Sequence, residues 1–188
     1  MSATVTKTAN PGPLGRLGFG MTTGLLTLHN AGLLPLSITI VAMGIALGGL
    51  AQIIAGIFEL KQGNTFAGTA FTAYGLFWWS LVIIWANPLA EAGVEAASKV
   101  AMGYYLLLWG IFTAIMFIGT LKHNRATQVV FGSLTVLFVL LALGDFTGNY
   151  TITMIAGFEG IFCGMSAVYN AGGQILNAEY GKTILPLG

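Results

Sequence analysis

Six apolar runs, at residues 17–34, 38–60, 66–86, 100–121, 129–143 and 152–171, take up most of the chain, with short polar stretches between them. A helix that crosses the hydrocarbon core needs about 20 largely apolar residues. The pattern predicts an all-α integral membrane protein, a single six-transmembrane-helix bundle over residues 1–188. The first run is the weakest, because Thr22, Thr23, Thr27, His29 and Asn30 interrupt it, and the fifth is short unless it begins near Thr127.

Basic residues orient the bundle, since short cytoplasmic loops retain Lys and Arg. With the N-terminus inside, Lys7, Arg16, Lys61, Lys122, Arg125 and Lys182 are cytoplasmic and Lys99 alone is external. Both termini are therefore expected in the cytoplasm of a multi-pass cell-membrane protein. Residues 1–10 are polar, so the first helix is expected to act as its own insertion signal rather than as a cleaved leader. Loops this short leave no room for a soluble catalytic domain.

Composition narrows the picture. Charged residues make up 7% of the chain and hydrophobic ones 56%, against about a quarter charged in a soluble domain. A net charge of +1, with scattered cations, gives no footprint for nucleic acid. Cys163 is the single cysteine, so neither a disulfide nor a cysteine metal site is expected. His29 and His123 fall toward opposite sides and cannot share a haem. No metal set, phosphate cradle or catalytic pair is evident, so the chain reads as a non-enzyme without cofactors. The excess of glycine, 27 residues, suits close helix packing. The pairs Gly20 and Gly24, Gly44 and Gly48, and Gly160 and Gly164 have the small-xxx-small spacing that lets backbones approach.

Polar groups inside spans are costly and mark cavities, partners or function. The second helix puts Gly44, Gly48, Gln52, Ala55 and Glu59 on one face, ending in a carboxylate that either pairs with Lys61 at the rim or serves gating or proton transfer. The first helix aligns Phe19, Thr23, Leu26 and Asn30, with Thr22 beside them, and the fifth aligns Leu134, Phe138, Leu141 and Asp145. Both faces are apolar with polar ends. They fit a path with a dry waist, and ordinary packing equally. The sixth carries Glu159, Cys163, Ser166 and Asn170, and Glu159 is the most deeply placed charge. The third offers two faces, Thr65, Thr69 and Thr72 against Ala67, Phe71, Tyr74 and Trp78, and the residues alone do not choose between them. Trp78, Trp79 and Trp85, with Tyr104 and Tyr105, read as an interfacial belt.

The opening Asn10-Pro11-Gly12-Pro13-Leu14-Gly15, followed by Gly18-Phe19-Gly20-Met21-Thr22-Thr23, resembles the signature of the acetate uptake transporter family, the succinate/acetate permeases. Gly63-Asn64-Thr65-Phe66, running on through Tyr74 to Trp78, resembles its second signature, and shorter matches reach Thr183-Ile184-Leu185-Pro186. The resemblance implies a homo-hexamer in the lipid bilayer with a separate route for acetate, and in some members succinate, through each protomer, either channel-like or proton-linked. It implies a hydrophobic constriction at Phe19, Tyr74 and Leu134, a small selectivity-setting residue at Ala167, and the Tyr74 face of the third helix as the pore wall. Thr22, Thr23, Asn30, Gln52, Thr69 and Thr72 are the remaining candidates for the substrate pathway, and Glu59, Asp145 and Glu159 the candidate proton or gating carboxyls. A channel for a small neutral solute such as urea or a short amide, or a membrane subunit that transports nothing, are the alternatives.

Overall fold

The computed structural model describes residues 8–188; Lys7, counted above among the inside charges, lies outside them. The described chain is helical: α1 (Gly12–Asn30), α2 (Ile38–Lys61), α3 (Thr65–Ala86), α4 (Lys99–Thr120), α5 (Arg125–Thr147) and α6 (Tyr150–Tyr180), with a short 3₁₀ turn at Ala90–Ala92. Of these, the five from α2 to α6 are long and apolar enough to cross a membrane. The interrupted α1 falls short of that criterion.

Local chemistry sets the helix ends. Asn64, Ser98, Asn124 and Asn149 each accept a backbone N–H of the following first turn through a side-chain oxygen, satisfying donors the helix itself cannot. Gly148 and Gly181 close α5 and α6 in the left-handed conformation that favours glycine. The helices extend past the apolar runs accordingly. Capping by Asn124 starts α5 four residues before the apolar run at 129. At about 1.5 Å per residue, the 31 residues of α6 span about 46 Å, more than the roughly 30 Å hydrocarbon core. Conversely, α1 stops at Asn30 instead of 34, because Gly32 turns the chain at φ +77°.

Residues Gly44–Ala51 of α2 wind as a π-helix. Two tryptophans of α3 account for it. Trp79 Nε1 donates to the carbonyl of Ile45 (3.0 Å), occupying an acceptor that a regular turn would have used. A Cβ on Gly49 would overlap the Trp79 ring, and one on Gly48 would lie 2.8 Å from Trp78. Trp78 is thereby buried to 2% exposure, which removes it from the interfacial belt.

Most of the paired glycines pack closely within the protomer; Gly24, where a Cβ would meet nothing within 4 Å, does not require its missing side chain. A Cβ on Gly20 would sit 2.6 Å from the carbonyl of Gly164, and one on Gly164 2.7 Å from that of Gly20, so α1 and α6 cross at backbone contact. The core gathers Phe19, Tyr74, Phe77, Trp78, Leu134 and Phe138. Large apolar side chains such as Leu108, Ile115, Ile118 and Phe162 face outward, an arrangement suited to lipid rather than water. Residues 8–10, the turns at 62–64 and 121–124, and the C-terminal tail meet at one end: Gln62 Nε2 donates to the carbonyl of Ala9 and the Ala126 N–H to that of Leu187. Lys99 lies with the loop at the opposite end.

Candidate functional site

A cavity of about 380 Å³ opens at the end where residues 8–10 and the C-terminal tail meet. Its rim includes Thr8, Asn10, Gln62 and His123, and its walls include Arg16 from α1, Gln52 and Glu59 from α2, Ala67, Ala70, Phe71 and Tyr74 from α3, Thr127, Val130 and Leu134 from α5, and Ala167, Asn170 and Gln174 from α6. A second space of about 30 Å³ lies further along the axis, among Thr23, Leu26, Thr27, Asn30, Phe77, Trp78, Leu137, Phe138 and Leu141. Such a volume holds a water molecule or two, at about 10–15 Å³ each.

Three side chains, Phe19, Tyr74 and Leu134, line both spaces, and all three are buried. They stand where the two spaces meet, a position called the waist below. Tyr74 is the best fixed. Thr113 Oγ1 donates to the Trp109 carbonyl (2.7 Å), so the 2.9 Å contact between the Tyr74 hydroxyl and Thr113 Oγ1 has the phenol as donor. The Tyr74 ring packs against Phe19, Trp109, Phe112 and Phe131 at centroid separations of 5.5 to 6.3 Å, within the range of favourable aromatic pairs. The phenol therefore offers the waist an apolar face. Phe19 is held by its neighbours: Gly18 lies against the Leu47 carbonyl of α2, and Gly20 against that of Gly164.

Polar atoms without protein partners sit on either side. Gln52 is 1% exposed and neither its Oε1 nor its Nε2 has a partner, yet it lines the larger cavity. Beyond the waist, Thr23 Oγ1 and Trp78 Nε1 are likewise buried and unpartnered and border the smaller space. A buried polar group without a partner costs about 1–3 kcal/mol, a cost that a bound polar ligand or water relieves.

The other candidates separate cleanly. Asn30 and Ala167 border the smaller and the larger space respectively. Thr22 does not reach either: it is fully buried against α2, with its hydroxyl directed at the Met43 carbonyl (3.4 Å). Thr69 is exposed on the outer surface, and Thr72 Oγ1 points at Gly56 of α2. The threonine face of α3 therefore lies off the axis, and the Tyr74 face lines it. Glu59 lines the larger cavity, but its partner is Asn64, whose Nδ2 donates to Oε2 at 2.7 Å, instead of Lys61. Asp145 and Glu159 border neither space. Arg16, Thr127 and Gln174 are wall residues that the sequence reading passed over, the first because it precedes the apolar run at 17. No group of three or more His, Cys, Asp or Glu side chains is placed to hold a metal among the described residues.

Comparison with known proteins supplies an independent line. A family model described as the GPR1/FUN34/yaaH family matches residues 1–186. The chain is 55% identical over 184 residues to the succinate-acetate/proton symporter SatP of Escherichia coli K12, covering 97% of each. It is 54% identical over 186 residues to an uncharacterised protein of Methanothermobacter thermautotrophicus, covering 96% of this chain and 91% of that one. Among solved structures, that of the bacterial acetate channel SatP superposes with a TM-score of 0.94 at 54% identity, over 97% of this chain and 100% of the other.

Proposed function

Because the chain belongs to the GPR1/FUN34/yaaH family, we propose that it passes acetate, and with it other small carboxylates such as succinate, across the cell membrane through a route inside each protomer. The observation that carries this reading is the pair of cavities that meet at three side chains, Phe19, Tyr74 and Leu134. Six helices then cross the bilayer, α1 included, with both termini in the cytoplasm and the larger cavity facing it. The gathering of Arg16, Lys61, Lys122, Arg125 and Lys182 toward one end supports that orientation. The hexameric assembly implied by the sequence resemblance is part of the same proposal.

An ionised carboxylate at the centre of a bilayer is costly unless donors replace its water. Gln52 before the waist and Thr23 and Trp78 after it are buried groups that no protein partner satisfies. In the proposed mechanism they desolvate the acid in two stages, and Asn30 receives it toward the external mouth. The waist itself offers no cation, and the Tyr74 hydroxyl is engaged by Thr113. The acid therefore crosses it neutral, or together with a proton. Glu59, the candidate carboxyl that lines the route, is the one proposed to exchange that proton; Asp145 and Glu159 are given no part. Ala167, without side-chain bulk beyond Cβ, leaves room for the acid below the waist.

Acetate flux in proteoliposomes, with the pH gradient and the membrane voltage varied independently, tests the reading. Flux that rises with an inward proton gradient and carries protons is expected. Flux that follows voltage alone, without proton movement, rules out the proton-linked form and leaves a channel. No flux from the purified protein defeats the transport reading itself.

A further inference from the structure

The mechanism above leaves Arg16 without a task, although it brings the guanidinium to the wall of the larger cavity. Several contacts fix its position. The guanidinium lies over the Phe71 ring, 5.6 Å from the centroid, and its Nη1 and Nε both donate to the Gln174 amide oxygen at 3.2 Å. The same end of the Gln174 amide lies 2.8 Å from Asn170 Oδ1, and Asn170 Nδ2 donates to Thr127 Oγ1 (3.1 Å). The Glu59 carboxylate stands close by, since a methyl built on Gly12 would overlap Arg16 Nη1 and lie 3.2 Å from Glu59 Oε1.

A guanidinium presents five N–H donors in a planar fork that matches a carboxylate. The Gln174 amide oxygen accepts from two of them, and the others are left for a ligand. Gln52, lining the same cavity, has both ends of a buried amide without a partner. A placed cation and an unpartnered amide thus share one cavity, with no other Lys or Arg lining it among the described residues. Glu59 moderates the cation. It keeps Arg16 from being a bare charge in a partly dry cavity, and it weakens the hold on an anion enough for release, which conduction requires.

We propose that Arg16 captures the substrate carboxylate at the mouth of the larger cavity and passes it to Gln52, so that it sets the half-saturating concentration from that side. The inference rests on the carboxylate-transport reading. It differs from general attraction by the exposed Lys61, Lys122 and Lys182, which salt screens and which fixes no geometry.

Acetate flux of the full chain in proteoliposomes of defined orientation, measured from each face for Arg16→Gln, Arg16→Lys and Lys182→Gln, tests it. Arg16→Gln is expected to raise the half-saturating acetate concentration from the cavity side about fivefold, which is about 1 kcal/mol at 1.4 kcal/mol per decade, while the value from the opposite face stays unchanged. Arg16→Lys restores part of the loss, and Lys182→Gln changes neither. A purely structural role for Arg16 predicts instead an equal loss from both faces that Arg16→Lys does not repair, and that result overturns the proposal. If Arg16→Gln does not fold, Arg16→Met, which keeps a stem to pack on Phe71, carries the same comparison. An unaltered protein that passes no acetate refutes the transport reading; one that passes it, with Arg16→Gln matching it from the cavity side, refutes only the capture role.

Discussion

Leu134→Ala isolates the waist. The change removes Cγ and both Cδ atoms from a side chain that is 3% exposed and that borders the cavities of about 380 and 30 Å³. Two magnitudes follow. Buried Leu→Ala replacements cost about 2–5 kcal/mol; here the side chain already faces empty space on both sides and forfeits fewer contacts, so about 2–3 kcal/mol is expected. Selectivity shifts as well. Beside its additional carbon, lactate brings a hydroxyl that the apolar waist cannot hydrogen-bond, worth about 1–3 kcal/mol, so the waist disfavours lactate relative to acetate about tenfold. Opening it at Leu134 should reduce that ratio to about threefold or less. The assay is paired flux of labelled acetate and labelled lactate into proteoliposomes, with thermal unfolding of each preparation to establish that the variant is folded. Val136→Ala on the same helix, at a position 49% exposed, is the control and should leave the ratio alone. A folded Leu134→Ala protein with the original acetate-to-lactate ratio refutes the waist.

Three further outcomes follow from particular contacts. Gly164→Ala places a Cβ 2.7 Å from the Gly20 carbonyl and should cost about 1–3 kcal/mol through overpacking, read as a lower thermal midpoint; an unchanged midpoint contradicts the backbone contact of α1 and α6. Gln52→Leu removes two buried polar atoms that no protein group satisfies, so it should leave the unfolding free energy unchanged or raise it by up to about 3 kcal/mol while slowing acetate flux, and a destabilised variant with normal flux refutes both halves. Thr69→Val, on the outer face of α3, should leave acetate half-saturation where it was, whereas a pathway role would raise it.

How much was legible in the sequence depends on what encodes each feature. The α1 face of Phe19, Thr23, Leu26 and Asn30 could be read from helical spacing, and all four residues border the spaces along the axis. The second helix kept its stripe too: Gly44, Gly48, Gln52, Ala55 and Glu59 are all buried. Helix α3 could not be read this way, because it is apolar on most sides and periodicity names no inner face; only its neighbours decide, with Gly56 receiving Thr72 and Thr113 receiving Tyr74. Trp78 misled for a related reason. A tryptophan near the end of a span usually sits at the interface, but the glycines of α2 open a slot that no property of α3 announces. Arg16 could be read only as an orienting charge, because the hydropathy run begins after it, whereas the helix begins before it, at Gly12.

The same contacts indicate which part of the waist yields. Phe19 is flanked by glycines that touch the backbones of α2 and α6, so displacing it means displacing a helix. Tyr74 is tied through its hydroxyl to Thr113 and boxed by Trp109, Phe112 and Phe131; moving it breaks a buried hydrogen bond worth about 0.5–1.5 kcal/mol together with its ring contacts. Leu134 has no polar tether. A shift of its side-chain torsion by about 30° costs about 0.5–1.5 kcal/mol, and the space of about 30 Å³ beside it gives the displaced methyls somewhere to go. An acid that opens the waist should therefore do so at Leu134, with the aromatic pair acting as the fixed jaw. Substitutions at Phe19 or Tyr74 should then change the geometry of the waist and the flux of every acid together, whereas Leu134→Ala, beyond its stability cost, should change which acid passes.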